Sequence, residues 1–290
     1  MSDRADVTTK EALARLEAWP RQLLAMLPTQ LVAADQLTRS LGASAPHVFM
    51  KIDADTGLGL GGNKVRKLEF ELAPERIAGV THIITTGGPQ SNHCRVTAAA
   101  SAHLGRKCVL VINGMVEGKP RGNALLQRLF GADIRTVAGR AERTPAMEAA
   151  ARDIAADGGK ALVIPLGAST PLGSLGYARA AVELEAQLAQ LPPVANTWIF
   201  LSSSSCGTLA GLLLGFSLLG RDDVRLVGVS ADTPEAEMRR DAVRLATEGG
   251  ALLGWTGRLL SDHLSCDDTQ VGEGYGIPTP ASDEATRLLG

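Results

Sequence analysis

Aromatic residues are scarce, 3% of a 290-residue chain, which argues against an aromatic-rich β-sandwich. Neither sign of charge is in surplus: 29 Lys plus Arg face 31 Asp plus Glu, for a formal net charge of −2. A nucleic-acid groove needs clustered excess cations, so small molecules and not nucleic acids are the expected partners. Cysteine is sparse and scattered. Cys94, Cys108, Cys206 and Cys266 include no Cys-x-x-Cys pair and no histidine at zinc spacing, so reduced thiols and no metal are expected. No apolar run approaches the ~20 residues of a membrane span, and the charged opening segment lacks an apolar signal core. A cytoplasmic protein without membrane attachment is the resulting expectation. Fixed-period repeats and low-complexity linkers are also missing, apart from the short run Ser202 to Ser205.

Hydrophobic residues make up 45% of the chain and charged ones 21%, enough for a buried core in one large domain or two compact ones. A helical start breaks at Pro20, and an extended entry with a short helix follows. VFMKID then reads as a strand and KVRKLEFELAPERI as a helix. From there strands and helices alternate. HIITTGG, CVLVING, ADIRTVAG, ALVIPLG, TWIFLSS and VRLVGVSAD are the strands. The helices fall at HCRVTAAASAHLG, NALLQRLFG, Pro145 to Asp157, GSLGYARAAVELEAQL and GTLAGLLLGFSLLG. Such alternation predicts parallel β-α-β units covered by helices, with the working residues in loops beyond the carboxyl ends of the strands.

Three of those loops carry candidate chemistry. In GLGLGGNKVRK, residues 57 to 67, Gly57, Gly59 and Gly62 fit the dinucleotide pattern G-x-G-x-x-G. The acidic residue expected about 20 positions later is replaced by TTGGPQSN, so a nicotinamide-dependent oxidoreductase is the weaker reading. Lys64 offers another, a Schiff base with a carbonyl cofactor. Lys64, Arg66 and Lys67 at a helix start oppose the helix dipole, which is anomalous unless an anion binds there; the plain alternative is a charged helix surface.

In GGPQSNHCR, residues 87 to 95, Gln90, Ser91, Asn92 and His93 bring amide, hydroxyl and imidazole groups to a helix start, where they can bind a carboxylate or simply cap the helix. In SSSSCGTLAGL, residues 202 to 212, backbone N–H groups with Ser205 and Thr208 can form a phosphate cradle, or an ordinary capped turn. Cys206 has no identifiable base and reads as a packing residue.

Together, GGNKVRKLE, GGPQSNHCR, ASTPLGSLGYARAAVEL, SSSSCGTLAGL and GEGYGIPTP resemble the pyridoxal-phosphate-dependent family of D-cysteine desulfhydrase and 1-aminocyclopropane-1-carboxylate deaminase, from about Pro28 onward. The resemblance implies an α/β, tryptophan-synthase-β-like (fold type II) enzyme with two three-layer α/β domains. Residues 1–60 and 170–290 would form the large cofactor-binding domain, 61–169 the small one, and a homodimer the usual assembly. It implies pyridoxal 5'-phosphate as cofactor, Lys64 as its Schiff-base lysine, and Lys67, Asn92, Ser205, Cys206, Gly207 and Thr208 as cofactor-binding residues. Catalytic roles fall to Lys64, Ser91 and Tyr275, and the substrate carboxylate to Gln90, Ser91, Asn92 and His93.

Cys206 stands where relatives more often carry glycine or alanine, and Ile52 where an arginine is usual. Relatives also continue past ASDEATRLLG into an Asp-Pro-Val-Tyr segment and a final strand whose threonine faces the pyridine nitrogen. The large domain is therefore expected to be shortened. The expected reaction is β-elimination from D-cysteine or a related amino acid, giving keto acid and ammonia. Alternatives are 1-aminocyclopropane-1-carboxylate deamination and a truncated, noncatalytic binding or regulatory homologue.

Overall fold

Two parallel sheets organise the chain, in a computed structural model that describes residues 7–114 and 118–289. Helix α1 (Thr9–Ala18) opens with a capping box between Thr8 and Glu11 and ends at Trp19, ahead of the helix-disfavouring Pro20. Strand β1 (Leu31–Ala33), helix α2 (Asp35–Ser40) and strand β2 (Phe49–Lys51) follow, with β1 and β2 antiparallel. Helix α3 (Lys64–Glu71) is shorter than its sequence pattern predicts. The chain leaves the helix at Leu72, because Pro74 disfavours helical geometry at the residue before it.

Alternation then proceeds as expected through β3 (His82–Gly87), α4 (Asn92–His103), β4 (Lys107–Asn113), α5 (Gly122–Leu129), β5 (Asp133–Val137), α6 (Arg143–Ala156), β6 (Ala161–Val163), α7 (Pro171–Leu188), β7 (Thr197–Ser203), α8 (Gly207–Leu219) and β8 (Val224–Ser230). Two later elements went unread in the sequence, α9 (Glu235–Leu252) and β9 (Leu264–Asp267), and the chain closes with α10 (Pro280–Leu289), the helix expected near ASDEATRLLG. Helix α9 is rich in charge and runs through Gly249 and Gly250. Tertiary packing of Met238, Ala242, Leu245 and Ala246 overrides those weak local signals.

The four-stranded sheet has the order β5-β4-β3-β6, all parallel, and its side chains alternate between two helical layers. Ile84, Val109 and Val111 pack on Met147, Ala150 and Ile154 of α6. Cys108, Leu110 and Ile112 pack on Cys94 and Ala98 of α4. The three-stranded sheet has the order β7-β8-β9 and buries Ile199 and Leu201 against a core built by α7, α8 and α9. Its other face leaves Trp198 and Phe200 stacked and open, 58% and 67% exposed.

Helix α3 joins the two halves by direct backbone approach. A Cβ on Gly176 of α7 would lie 2.2 Å from the Arg66 carbonyl oxygen, and one on Gly211 of α8 2.2 Å from that of Ser174. Only glycine permits these spacings, so α3, α7 and α8 stack as one slab. No described helix is long and apolar enough to cross a membrane.

Candidate active site

Helix α3 carries three cations in four residues, and they face different surroundings. Arg66 is 2% exposed and held by carboxylates: Nη2 lies 2.9 Å from Asp53 Oδ1 and 2.8 Å from Glu183 Oε1, while Nη1 donates to Glu183 Oε2 at 3.0 Å. Lys51 adds a contact to Glu183, and the Tyr177 hydroxyl donates to Asp53. Burial alone would weaken the charge on Arg66, but Glu183 and Asp53 reverse this and hold its pKa above the ordinary value. Burial likewise opposes ionisation of Glu183, yet Arg66 and Lys51 hold it down to about 2.

At Lys64 and Lys67 burial is not outweighed: only Cys206 and Glu71 oppose it at Lys67, without reversing it. Among the described residues neither amine has a carboxylate within ion-pairing distance. Burial lowers the Lys64 pKa to about 8. Lys67 is fully buried and is pushed well below the ordinary lysine value, first by burial and then by the neighbouring charge of Lys64. A buried ammonium without a counter-charge is costly, and an anion placed beside it removes the cost.

The surroundings of Lys67 are shaped for such an anion. Its Nζ donates to Ser169 Oγ at 3.0 Å, and Ser169 Oγ donates to Ser205 Oγ at 2.8 Å and accepts from the Gly207 amide at 3.3 Å. Gly207 is the first residue of α8, whose opening N–H groups have no carbonyl partner within the helix. A Cβ at Gly207 would come within 2.8 Å of Lys67 Nζ and 2.7 Å of Ser169 Oγ, so glycine keeps this pocket open. Asn63 Nδ2 donates to Thr208 Oγ1 at 3.1 Å and ties the start of α3 to the same helix end. Lysine, serine hydroxyls and a helix N-terminus are a donor set matched to a phosphate dianion.

The structure brings together Lys67, Ser205, Gly207 and Thr208, which the resemblance pointed to, with Ser169 and Asn63, which the sequence reading did not name. Ser169 ends a strand-turn-helix passage between β6 and α7, the same grammar that pointed to the other loops. Cys206 caps α8 with a left-handed backbone, φ 60°, uncommon for a residue with a side chain. Its thiol is buried against the Ser204 and Met238 carbonyls, and burial pushes its pKa to about 11. That agrees with the packing reading.

Ser91 caps α4, its Oγ accepting from the Cys94 amide at 3.2 Å, which leaves the hydroxyl proton to donate elsewhere. Two of its neighbours do not match their expected role. Gln90 is engaged with the start of α5, accepting from the Asn123 amide at 3.0 Å and donating to the Arg121 carbonyl at 3.1 Å. His93 is 2% exposed. Thr85 Oγ1 gives its proton to the Ile164 carbonyl and therefore accepts from His93 Nε2 at 2.8 Å, leaving Nδ1 a bare lone pair. Burial, then the charges of Lys67 and Lys64, hold this imidazole neutral, against a small opposing effect of the Pro165 carbonyl. A neutral ring with an acceptor-only nitrogen repels a carboxylate. Asn92 Oδ1 accepts from Asn123 Nδ2 at 2.9 Å, so its side chain is also tied to α5. The Asn92 and His93 amides, at the first turn of α4, remain as carboxylate donors beside Ser91.

Tyr275 lies in the irregular segment between β9 and α10, 58% exposed, near enough to Arg143 to act on its charge. None of the described hydrogen bonds joins it to Lys64 or Ser91. The glycine loop packs on the protein itself: a Cβ at Gly61 would sit 1.8 Å from the Ala54 carbonyl oxygen, and one at Gly59 2.5 Å from the Ala99 methyl. A cavity of about 340 Å³ lies on the Arg66 side of α3, walled by Glu17, Glu69, Arg66 and Arg179. Those groups are already engaged with protein partners.

Comparison with known proteins assigns the class. The profile of the family described as pyridoxal-phosphate dependent enzyme matches residues 23–290, and the chain belongs to that family, with its fold-type-II architecture of parallel α/β sheets. Its cofactor is accordingly pyridoxal phosphate. The chain is 35% identical to the 1-aminocyclopropane-1-carboxylate deaminase of Burkholderia cenocepacia over 282 residues, covering 94% of this chain and 82% of that one. It is also 35% identical to the deaminase of that name from Methylobacterium sp. (strain 4-46), over 96% of this chain and 83% of the relative. A crystal structure described as an ACC deaminase homologue superposes with a TM-score of 0.81 at 34% identity, covering 93% of this chain and 79% of the other. Diaminopropionate ammonia lyase from Escherichia coli shares the fold at 16% identity, with a TM-score of 0.61 and coverage of 91% and 73%.

Proposed function

We propose that this enzyme is a lyase that deaminates a small amino acid, with ring-opening deamination of 1-aminocyclopropane-1-carboxylate as its leading reaction. The names of its 35%-identical relatives support that substrate over the D-cysteine preferred on sequence grounds. The observation that carries the reading is the pair of uncompensated amines on α3, Lys67 facing a ready phosphate seat and Lys64 held at a pKa of about 8. The same reading takes residues 1–60 and 170–290 as the cofactor-binding domain and 61–169 as the small domain. It takes a homodimer as the working assembly, which equilibrium sedimentation checks.

Lys67, Ser169, Ser205, the Gly207 amide and Thr208 would hold the phosphate, and Lys64 would bond the aldehyde carbon. A cofactor held there would supply an aldehyde for an amine and an electron-withdrawing ring beside the substrate Cα. Lys64, with its amine lowered to a pKa of about 8 by burial, would take or return a proton at a substrate carbon. The Asn92 and His93 amides with the Ser91 hydroxyl orient the carboxylate at the start of α4. Ser91 can also pass its proton toward the ring carbons of a cyclopropane substrate, which has no Cα proton to lose. A second reading, β-elimination from D-cysteine, draws support from the same lowered pKa, since that reaction begins with Cα deprotonation.

The test supplies the holoenzyme with each amino acid and measures ammonia together with the keto acid. Ring opening yields a four-carbon keto acid. Elimination from D-cysteine yields a three-carbon one and sulfide. A fully loaded enzyme that releases ammonia from neither substrate overturns both readings and leaves the noncatalytic one.

A further inference from the structure

Arg140 and Asp232 bridge the gap between the loops of the two sheets. Arg140 stands in the turn Arg140–Glu142 after β5 of the four-stranded sheet, and Asp232 in the turn after β8 of the three-stranded one. Arg140 Nη1 lies 2.8 Å from Asp232 Oδ2. The other oxygen, Oδ1, accepts from Ser204 Oγ at 2.6 Å and from Thr233 Oγ1 at 3.2 Å. The backbone around Asp232 is fixed by Ser230, whose Oγ accepts from the Asp232 amide at 3.1 Å and the Thr233 amide at 2.8 Å. One largely buried carboxylate thus touches both walls: the exposed arginine of one sheet, and the serine turn whose next residue, Ser205, bonds Ser169 and through it Lys67.

We propose that Asp232 is a positioning residue that ties closure of the cleft by Arg140 to the shape of the phosphate turn through Ser204. Two contacts that share one fixed carboxylate influence each other, and the influence is reciprocal. Arg140 aligns and neutralises Oδ2 when the cleft is closed, which keeps Oδ1 aimed at Ser204. Release of Arg140 returns Oδ2 to water and loosens the turn. Cofactor retention and closure are thereby linked without any contact between Arg140 and the cofactor. The proposal rests on the phosphate seat described above, and not on the identity of the amino-acid substrate.

The experiment measures the rate at which holoenzyme loses pyridoxal phosphate to an excess of trapping apoprotein, in wild type, Arg140→Gln, Ser204→Ala and the double variant. The phosphorus-31 shift of the bound cofactor is recorded for each. Arg140→Gln is expected to speed loss about two- to five-fold, the scale of a half-exposed ion pair. Ser204→Ala is expected to speed it about ten-fold, the scale of a charge-assisted hydrogen bond. The Arg140 effect should vanish in the Ser204→Ala background, and the phosphorus shift should move in all three variants. Raising salt from about 0.05 to about 0.5 M should reproduce the Arg140→Gln rate in wild type and leave the variant unchanged. Lys67→Met is the control for the seat itself. If it speeds loss while the Arg140 and Ser204 effects simply multiply, the tie fails and the seat stands. If Lys67→Met leaves the rate unchanged, the seat fails.

Discussion

Arg66 and Lys67 are neighbours on one helix, equally buried, and electrostatically opposite. Arg66 stands among Asp53, Glu183, Lys51 and Tyr177, in a cluster whose charges balance. Lys67 and Lys64, on the other face, find a serine hydroxyl and open helix amides but, among the described residues, no ion-paired carboxylate. A cation already paired holds structure together, whereas a buried cation left unpaired marks where a charged ligand belongs. The contrast separates the residues that build α3 from those that use it.

The largest expected effect comes from Lys64→Ala, which removes the amine proposed to bond the cofactor. Turnover should fall on the order of 10³-fold or more, and borohydride should no longer fix a pyridoxyl group to the peptide containing residue 64, as read by mass mapping. Next comes Arg66→Met. Removing one member of a buried ion cluster strands Asp53 and Glu183 and should cost about 3–5 kcal/mol in chemical unfolding. Lys67→Met should do the reverse on the opposite face. The cofactor-free protein should be as stable as wild type or more so, while cofactor affinity drops about 10- to 100-fold. Inorganic phosphate should raise the melting temperature of wild type only.

The smallest effect is in pH. Because Lys64 has a folded pKa of about 8, below the unfolded lysine value, the unfolded chain binds the extra proton between them. Stability of the cofactor-free protein should therefore rise with pH from about 8 toward ~10.4, and Lys64→Met should flatten that rise in urea titrations. Cofactor capture should accelerate through the same lower bound as the amine loses its proton.

The parallel sheets were legible in the strand-helix alternation. The three cations at a helix start stood out together as anion-seeking, since the dipole there disfavours them, but not the contrast among them. The roles of Gln90 and His93 were not legible. A polar side chain next to a ligand loop reads alike in sequence whether it faces the ligand or fastens the loop, and only contacts with Asn123 and Thr85 separate the two. Ser169 escaped because it reaches Lys67 from 102 residues away. Arg66 read as a third anion-seeking cation, because its carboxylates, Asp53 and Glu183, come from distant segments. Helix α9 was missed because its buried stripe of small and sulfur-bearing residues is diluted by charge and glycine.

The absence of side chains at Gly176 and Gly211 has a mechanical consequence. With main chains in contact along that seam, the helix bearing the reactive amine has no clearance to slide or roll against its support. It serves as a fixed bench. Its other side shares a core with α4, through Val65, Leu68, Val96 and Ala100, so the amine's aim is set before the guest arrives.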